Sequence, residues 1–163
     1  MTNRKTQFAR GDWLVHRNYG IGQVKRLEKK TLGDEEVLFY KVKARNSTFW
    51  VPVEEGENPR IRPVASKYKM RKAIALLKQP PLEFSKDYKE RQQQIGELMS
   101  EGSVKSTAQL VRDLYWRLQT GRLNPGEQDT YDRMYSRLSR EWSICMGIKV
   151  TEVKRKIKSI LKK

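Results

Sequence analysis

At about Ser66 the periodicity of this chain changes, and that change limits its fold more than any other feature. Upstream, apolar residues alternate with period two and glycines cut the runs short, which is the pattern of strands. Downstream, apolar residues recur every three or four positions behind capping residues, which is the pattern of helices. The expected architecture is α+β, with a small β-barrel over residues 1–65 and a compact bundle of about five α-helices over residues 66–163.

In the first part, Trp13 to Arg17 alternates, and Gly20-Ile21-Gly22 follows as a turn or bulge. Glycine permits close backbone approach and positive φ, both needed at the corners of a tightly curved barrel. A second strand is expected from Gln23 to Glu28, and a third from Glu36 to Ala44 with Leu38, Tyr40 and Val42 on one face. A fourth follows in Thr48 to Val53, where Phe49, Val51 and Val53 share a face and Trp50 points the other way. Pro52 cannot donate to a ladder, which marks an edge or a strand end. Trp50 reads either as a partner contact, since exposed tryptophans anchor interfaces, or as a residue covered by a second core. The polar tail Met1 to Arg10 is expected to fray.

Five helices follow. Ser66 caps one through Gln79 (Met70, Ala73, Ile74 and Leu77 inward), stopped by Pro80-Pro81. Ser85 caps the next, to about Glu101, with Tyr88, Ile95, Leu98 and Met99 inward. Ser103 opens a third with Ala108, Val111, Leu114, Tyr115 and Leu118. Asn124-Pro125-Gly126-Glu127 combines a cap, a proline at the first helical position and a carboxylate three residues after the cap. The fourth helix continues through Trp142, and the fifth starts near Val150. Glu83, Asp87 and Glu90, beside Lys86 and Lys89, read as surface pairs at helical spacing.

The net charge is +16, of which residues 1–64 carry +5 and residues 65–163 carry +11. A basic helical half suggests a polyanion, nucleic acid above all; a merely solvated, solubility-promoting surface is the other reading. Cys145 and His16 are the only cysteine and histidine. A disulfide within the chain is therefore excluded, which suits a reducing cytoplasm, and a His/Cys zinc site lacks ligands. Cys145 reads as a core thiol and His16 as structural. No phosphate-binding Gly-x-x-x-x-Gly-Lys-Ser/Thr loop occurs, so neither an enzyme nor a cofactor or metal is expected. No apolar run approaches the length of a membrane span, and no signal peptide is expected.

The run Gly11-Asp12-Trp13-Leu14-Val15-His16-Arg17-Asn18-Tyr19-Gly20-Ile21-Gly22, with Tyr40 to Val42 and Val51-Pro52-Val53-Glu54, resembles the CarD/CdnL family. It is also similar to the RNA-polymerase-interaction module of transcription-repair coupling factor. In the second part, Phe84-Ser85-Lys86-Asp87-Tyr88-Lys89 resembles the family's Trp-Ser-Arg-Arg-Tyr-Lys segment. Val111-Arg112-Asp113-Leu114-Tyr115 and Leu123-Asn124-Pro125-Gly126-Glu127 match further stretches. The similarity spans nearly the whole chain.

The resemblance implies a Tudor/SH3-like barrel that binds the RNA polymerase β subunit, with Lys30 and Trp50 facing polymerase. It implies a helical domain that holds promoter DNA at the upstream edge of the melted region and stabilises the open complex. The family's wedging tryptophan is replaced here by Phe84, which reads either as the wedge or as packing for the helix start. An arginine of the family segment is Asp87. Lys86, Tyr88, Lys89, Lys105 and Arg112 are the other expected DNA contacts. The alternative function is a basic RNA-binding or ribosome-associated protein.

Overall fold

The computed structural model describes residues 6–54, 58–121 and 123–163. The chain divides into two units, Met1–Val64 and Ala65–Lys163. The first holds five antiparallel strands: β1 Trp13–His16, β2 Gly20–Leu32, β3 Glu35–Ala44, β4 Thr48–Pro52 and β5 Ile61–Pro63, in the order β4-β3-β2-β1-β5. Three steps across a flat sheet would separate β4 from β1 by about 14 Å. The His16 and Phe49 rings nevertheless lie 5.3 Å apart, so the sheet curls on itself. Inside it Leu14, Val24, Tyr40, Val42, Phe49, Val51, Val53 and Ile61 make one core.

The alternation in β3 and β4 follows the expected faces, and β4 is an edge strand, as Pro52 requires. Three features differ from the sequence reading. β2 is longer at both ends, taking in Gly20-Ile21-Gly22 and Thr31-Leu32, and its register shifts once between Val24 and Arg26. The short β5 was not foreseen, because two of its three residues are Arg62 and Pro63 and it carries no alternating run. The tail is packed from Phe8, which is buried in the barrel core with its N–H donated to the Tyr40 hydroxyl (3.3 Å). One large apolar side chain outweighed the polar composition around it. Met1–Lys5 lie outside the described residues.

Gly22 is required by close approach, because a Cβ there would overlap Val42 Cγ1 and meet the Lys43 carbonyl oxygen at 3.2 Å. Gly22→Ala is expected to destabilise the barrel by about 1–3 kcal/mol, the cost of overpacking a filled core. A lowered denaturation midpoint for that unit checks it. His16 closes the β1–β2 turn, where its Nδ1 accepts the Asn18 and Tyr19 N–H groups at 3.0 and 3.2 Å.

The second unit contains α1 Lys67–Leu77, α2 Tyr88–Glu101, α3 Val104–Thr120, α4 Pro125–Met146 and α5 Val150–Leu161. Ser66, Ser103 and Asn124 cap α1, α3 and α4 as their spacing predicts. α2 starts later than expected: its cap is Asp87, whose carboxylate accepts the Glu90 N–H at 3.0 Å, and not Ser85. Ser85 instead accepts the Asp87 N–H and donates to Glu90 at 2.7 Å. Asp87 and Glu90 thus organise the helix start. With the shift in cap, Tyr88 becomes the first residue of the helix and is exposed rather than inward. The core joins Met70, Ala73, Leu77, Ile95, Ala108, Leu110, Val111, Leu114, Met134, Leu138, Trp142, Val153 and Ile157. Cys145 is half-buried against this core, and burial pushes its thiol up, away from the reactive thiolate.

Candidate functional site

Lys30 and Trp50, both expected to face a partner, meet on the outer face of the barrel. β4 pairs Trp50 with Lys41, and β2 pairs Glu28 with Phe39 and Lys30 with Val37, so these side chains share one surface. Lys30 Nζ lies 3.9 Å from the centre of the Trp50 ring and 5.8 Å from that of Phe39. The indole N–H donates to Glu28 Oε2 at 2.9 Å, and Arg26 Nε donates to Glu28 Oε1 at 2.6 Å. The indole bond and then the Arg26 bond hold the Glu28 carboxyl below its usual range, against a smaller desolvating effect. Trp50 is 39% exposed, which leaves a fixed aromatic plate within reach of a partner.

In the helical unit, the segment Leu82 to Lys89 is held by two buried ion pairs. Asp113 Oδ1 accepts the Leu82 N–H at 2.9 Å and Arg112 Nε at 2.8 Å, while Arg112 Nη1 reaches the Leu76 carbonyl at 3.1 Å. Arg91 Nη1 donates to the Ser85 and Lys86 carbonyls (3.3 and 3.2 Å), and its Nε donates to Glu127 Oε2 at 2.6 Å. Gln94 Oε1 accepts the Ser85 N–H at 2.9 Å. Glu127 also takes Gln92 at 3.0 Å, Arg117 at 3.5 Å and the Asn124 N–H at 3.1 Å. Three helices therefore converge on one carboxylate, and Arg91 ties the segment to it. Burial pushes Glu127 up, but the Arg91 bond, the Asn124 N–H and the two arginine charges prevail, and it stays below 4.5.

This scaffold leaves Leu82, Lys86, Tyr88 and Lys89 exposed on a constrained stretch of chain, with Arg91 5.7 Å from the Tyr88 ring. Phe84 lies inside: it is 8% exposed and belongs to the helical core, the packing role that was one of its two readings. To enter a base step it would have to leave that core. Arg112, expected to meet phosphate, is 5% exposed and committed to Asp113 and the end of α1; the adjacent carboxylate made burial of the guanidinium affordable. Lys105 is exposed in the first turn of α3, eight residues and about 12 Å of helix from Asp113.

Sequence reasoning missed Asp113, Arg91 and Leu82, and saw Glu127 only as a capping residue. The capping box is present, and its position beside α2 and α3 is what gives the carboxylate its second task. For Asp113 the available signal was a carboxylate on an otherwise apolar stripe, between Arg112 and Leu114.

A curled antiparallel barrel and a cationic helical unit define a two-part protein, with an exposed aromatic beside lysines on each part. Comparison with known proteins assigns it further. The CarD-like/TRCF RID domain matches residues 8–65 and the CarD C-terminal domain matches residues 72–158. The chain belongs to the CarD family. It is also similar to "Putative transcription factor YdeB" of Bacillus subtilis (strain 168), at 24% identity over 149 residues, covering 90% of this chain and 97% of that protein. The matched families are those of transcription proteins, with a barrel of the type that interacts with RNA polymerase. Among the described residues no helix is long and apolar enough to cross a membrane, and no cluster of three His, Cys, Asp or Glu side chains could hold a metal ion.

Proposed function

We propose that this protein bridges the RNA polymerase β subunit and the upstream edge of melted promoter DNA, and thereby stabilises the open complex. The barrel grips polymerase through Trp50 and Lys30. The helical unit meets the fork through Tyr88 and Leu82, with Lys86 and Lys89 on phosphates and Lys105 adding charge further along. Phe84 serves this surface from within, as the anchor of the segment. The supporting observation is the segment itself: two buried ion pairs constrain its backbone while its aromatic and lysine side chains face solvent. Pre-organisation of this kind lowers the ordering cost of binding. A factor that prefers the open to the closed complex raises open-complex occupancy by that difference in affinity.

The test is the lifetime of the open complex formed by a bacterial polymerase. Wild-type protein is expected to prolong it. Trp50→Ala should lower affinity for polymerase about tenfold or more, as loss of an interface anchor does. Tyr88→Ala should leave that affinity and the melting temperature unchanged but abolish most of the gain in lifetime. Absence of polymerase binding by the wild type, with tight binding of RNA, would overturn the assignment in favour of an RNA-binding protein.

A further inference from the structure

The groove that begins beside Pro80-Pro81 is not used by the function proposed above. It encloses about 860 Å³ between the end of α1, one face of α3 and the end of α5. That volume is in the range that holds a small organic ligand. Tyr115 and Trp116 line it from α3, Pro80 and Pro81 from the chain after α1, and Ile160 and Leu161 from α5. Trp116 is 44% exposed, an unusual place for a large aromatic unless something covers it.

The charge around the groove narrows what that can be. Lys78, Lys162 and Lys163 line it, and no Asp or Glu side chain does. Arg112 also borders it but is committed to Asp113. Lys78 and Lys162 are the C-caps of α1 and α5, so two helix ends together contribute roughly one unit of negative charge. Three lysines exceed that. The flanking helices extend the excess: α1 carries four cations and no carboxylate, and α5 carries four cations and one. α1 packs directly against α5.

An apolar slot with an exposed indole and a cationic border matches the requirements of unpaired polynucleotide, in which a base stacks on the ring and its phosphates meet the lysines. A paired base in a duplex has both faces covered and cannot enter. We propose that the α1–α3–α5 groove is a binding site for single-stranded nucleic acid, with Trp116 as the stacking platform and Lys78, Lys162 and Lys163 as the phosphate contacts. The site needs no polymerase and acts independently of Trp50 and Tyr88.

The experiment is fluorescence anisotropy of the full chain with a labelled oligothymidylate and, separately, a duplex of equal length. Trp116→Ala is expected to weaken oligothymidylate binding about tenfold, within the effect of losing one base–aromatic stack, and to leave duplex binding within twofold. Trp116→Phe should recover most of the loss. Combined Lys78→Glu, Lys162→Glu and Lys163→Glu should flatten the salt dependence of oligothymidylate binding. The effects of Tyr88→Ala and Trp116→Ala on oligothymidylate binding should add in the double variant, which separates this site from the proposed fork surface. Equal losses on both nucleic acids in Trp116→Ala, or no loss on either, would overturn the proposal. So would displacement of oligothymidylate by oligoglutamate at equal charge concentration, which would make the groove a site for acidic peptide.

Discussion

Glu127→Ala is expected to cost the helical unit about 3–5 kcal/mol, because Arg91 would be left buried without its partner. That is a large share of the roughly 5–15 kcal/mol that holds an ordinary domain together. The carboxylate accepts four donors from α2, α3 and its own cap, and it is 2% exposed. Arg91→Met combined with Glu127→Met should cost less than either change alone, since the pair then leaves together. The same group predicts an acid limit. Its folded-state value lies below 4.5, so its contribution is complete at neutral pH, starts to fall as pH drops through the unfolded-state value near 4.5, and is lost below the folded-state value. Thermal melts followed by helical circular dichroism, at neutral pH and near pH 3, check both points. A Glu127→Ala midpoint within a degree or two of wild type at neutral pH would remove Glu127 as the organising centre.

Phe84→Ala is expected to lower the stability of the helical unit by about 3–5 kcal/mol, the range for truncating a buried aromatic. Tyr88→Ala, four positions on, should change it by less than about 0.5 kcal/mol, because that ring is 60% exposed. The pair separates anchoring from contact. If Phe84 anchors the segment, Phe84→Leu restores most of the stability and most of the open-complex lifetime, since an aliphatic side chain can fill the same space. If Phe84 acts directly on a base step, Phe84→Leu restores stability while the lifetime stays short.

What the sequence could reveal was whatever is local. Alternation in β3 and β4, the caps Ser66, Ser103 and Asn124, and the stripes of α1, α3 and α4 depend on neighbours within one or two turns, and each is where its pattern predicts. The misplaced cap of α2 shows the limit: Ser85 and Asp87 are both good caps, and the choice depends on Arg91, which ties up the Ser85 and Lys86 carbonyls from outside the segment. Arg112 shows the same for function. A basic residue in a family-like stretch is a fair phosphate contact until an adjacent carboxylate and a distant helix end claim it. Lys30 and Trp50 were legible separately, but not their contact, since 20 positions separate them and only the strand register joins them.

The register shift in β2 has a consequence for that contact. Val24 stands opposite Val42 on the core side, whereas Arg26 stands opposite Lys41, which faces out. Lys25 is the extra residue, and from it onward odd and even positions exchange sides. Glu28 and Lys30 are thereby displayed beside Trp50; were Lys25 paired with Lys41 and the ladder continued without the shift, their places would fall to Leu27 and Lys29. The supernumerary lysine works as a parity bit for the strand: its own ammonium donates to Gln23, yet its unpaired place in the ladder decides which letters of the sequence a partner can read.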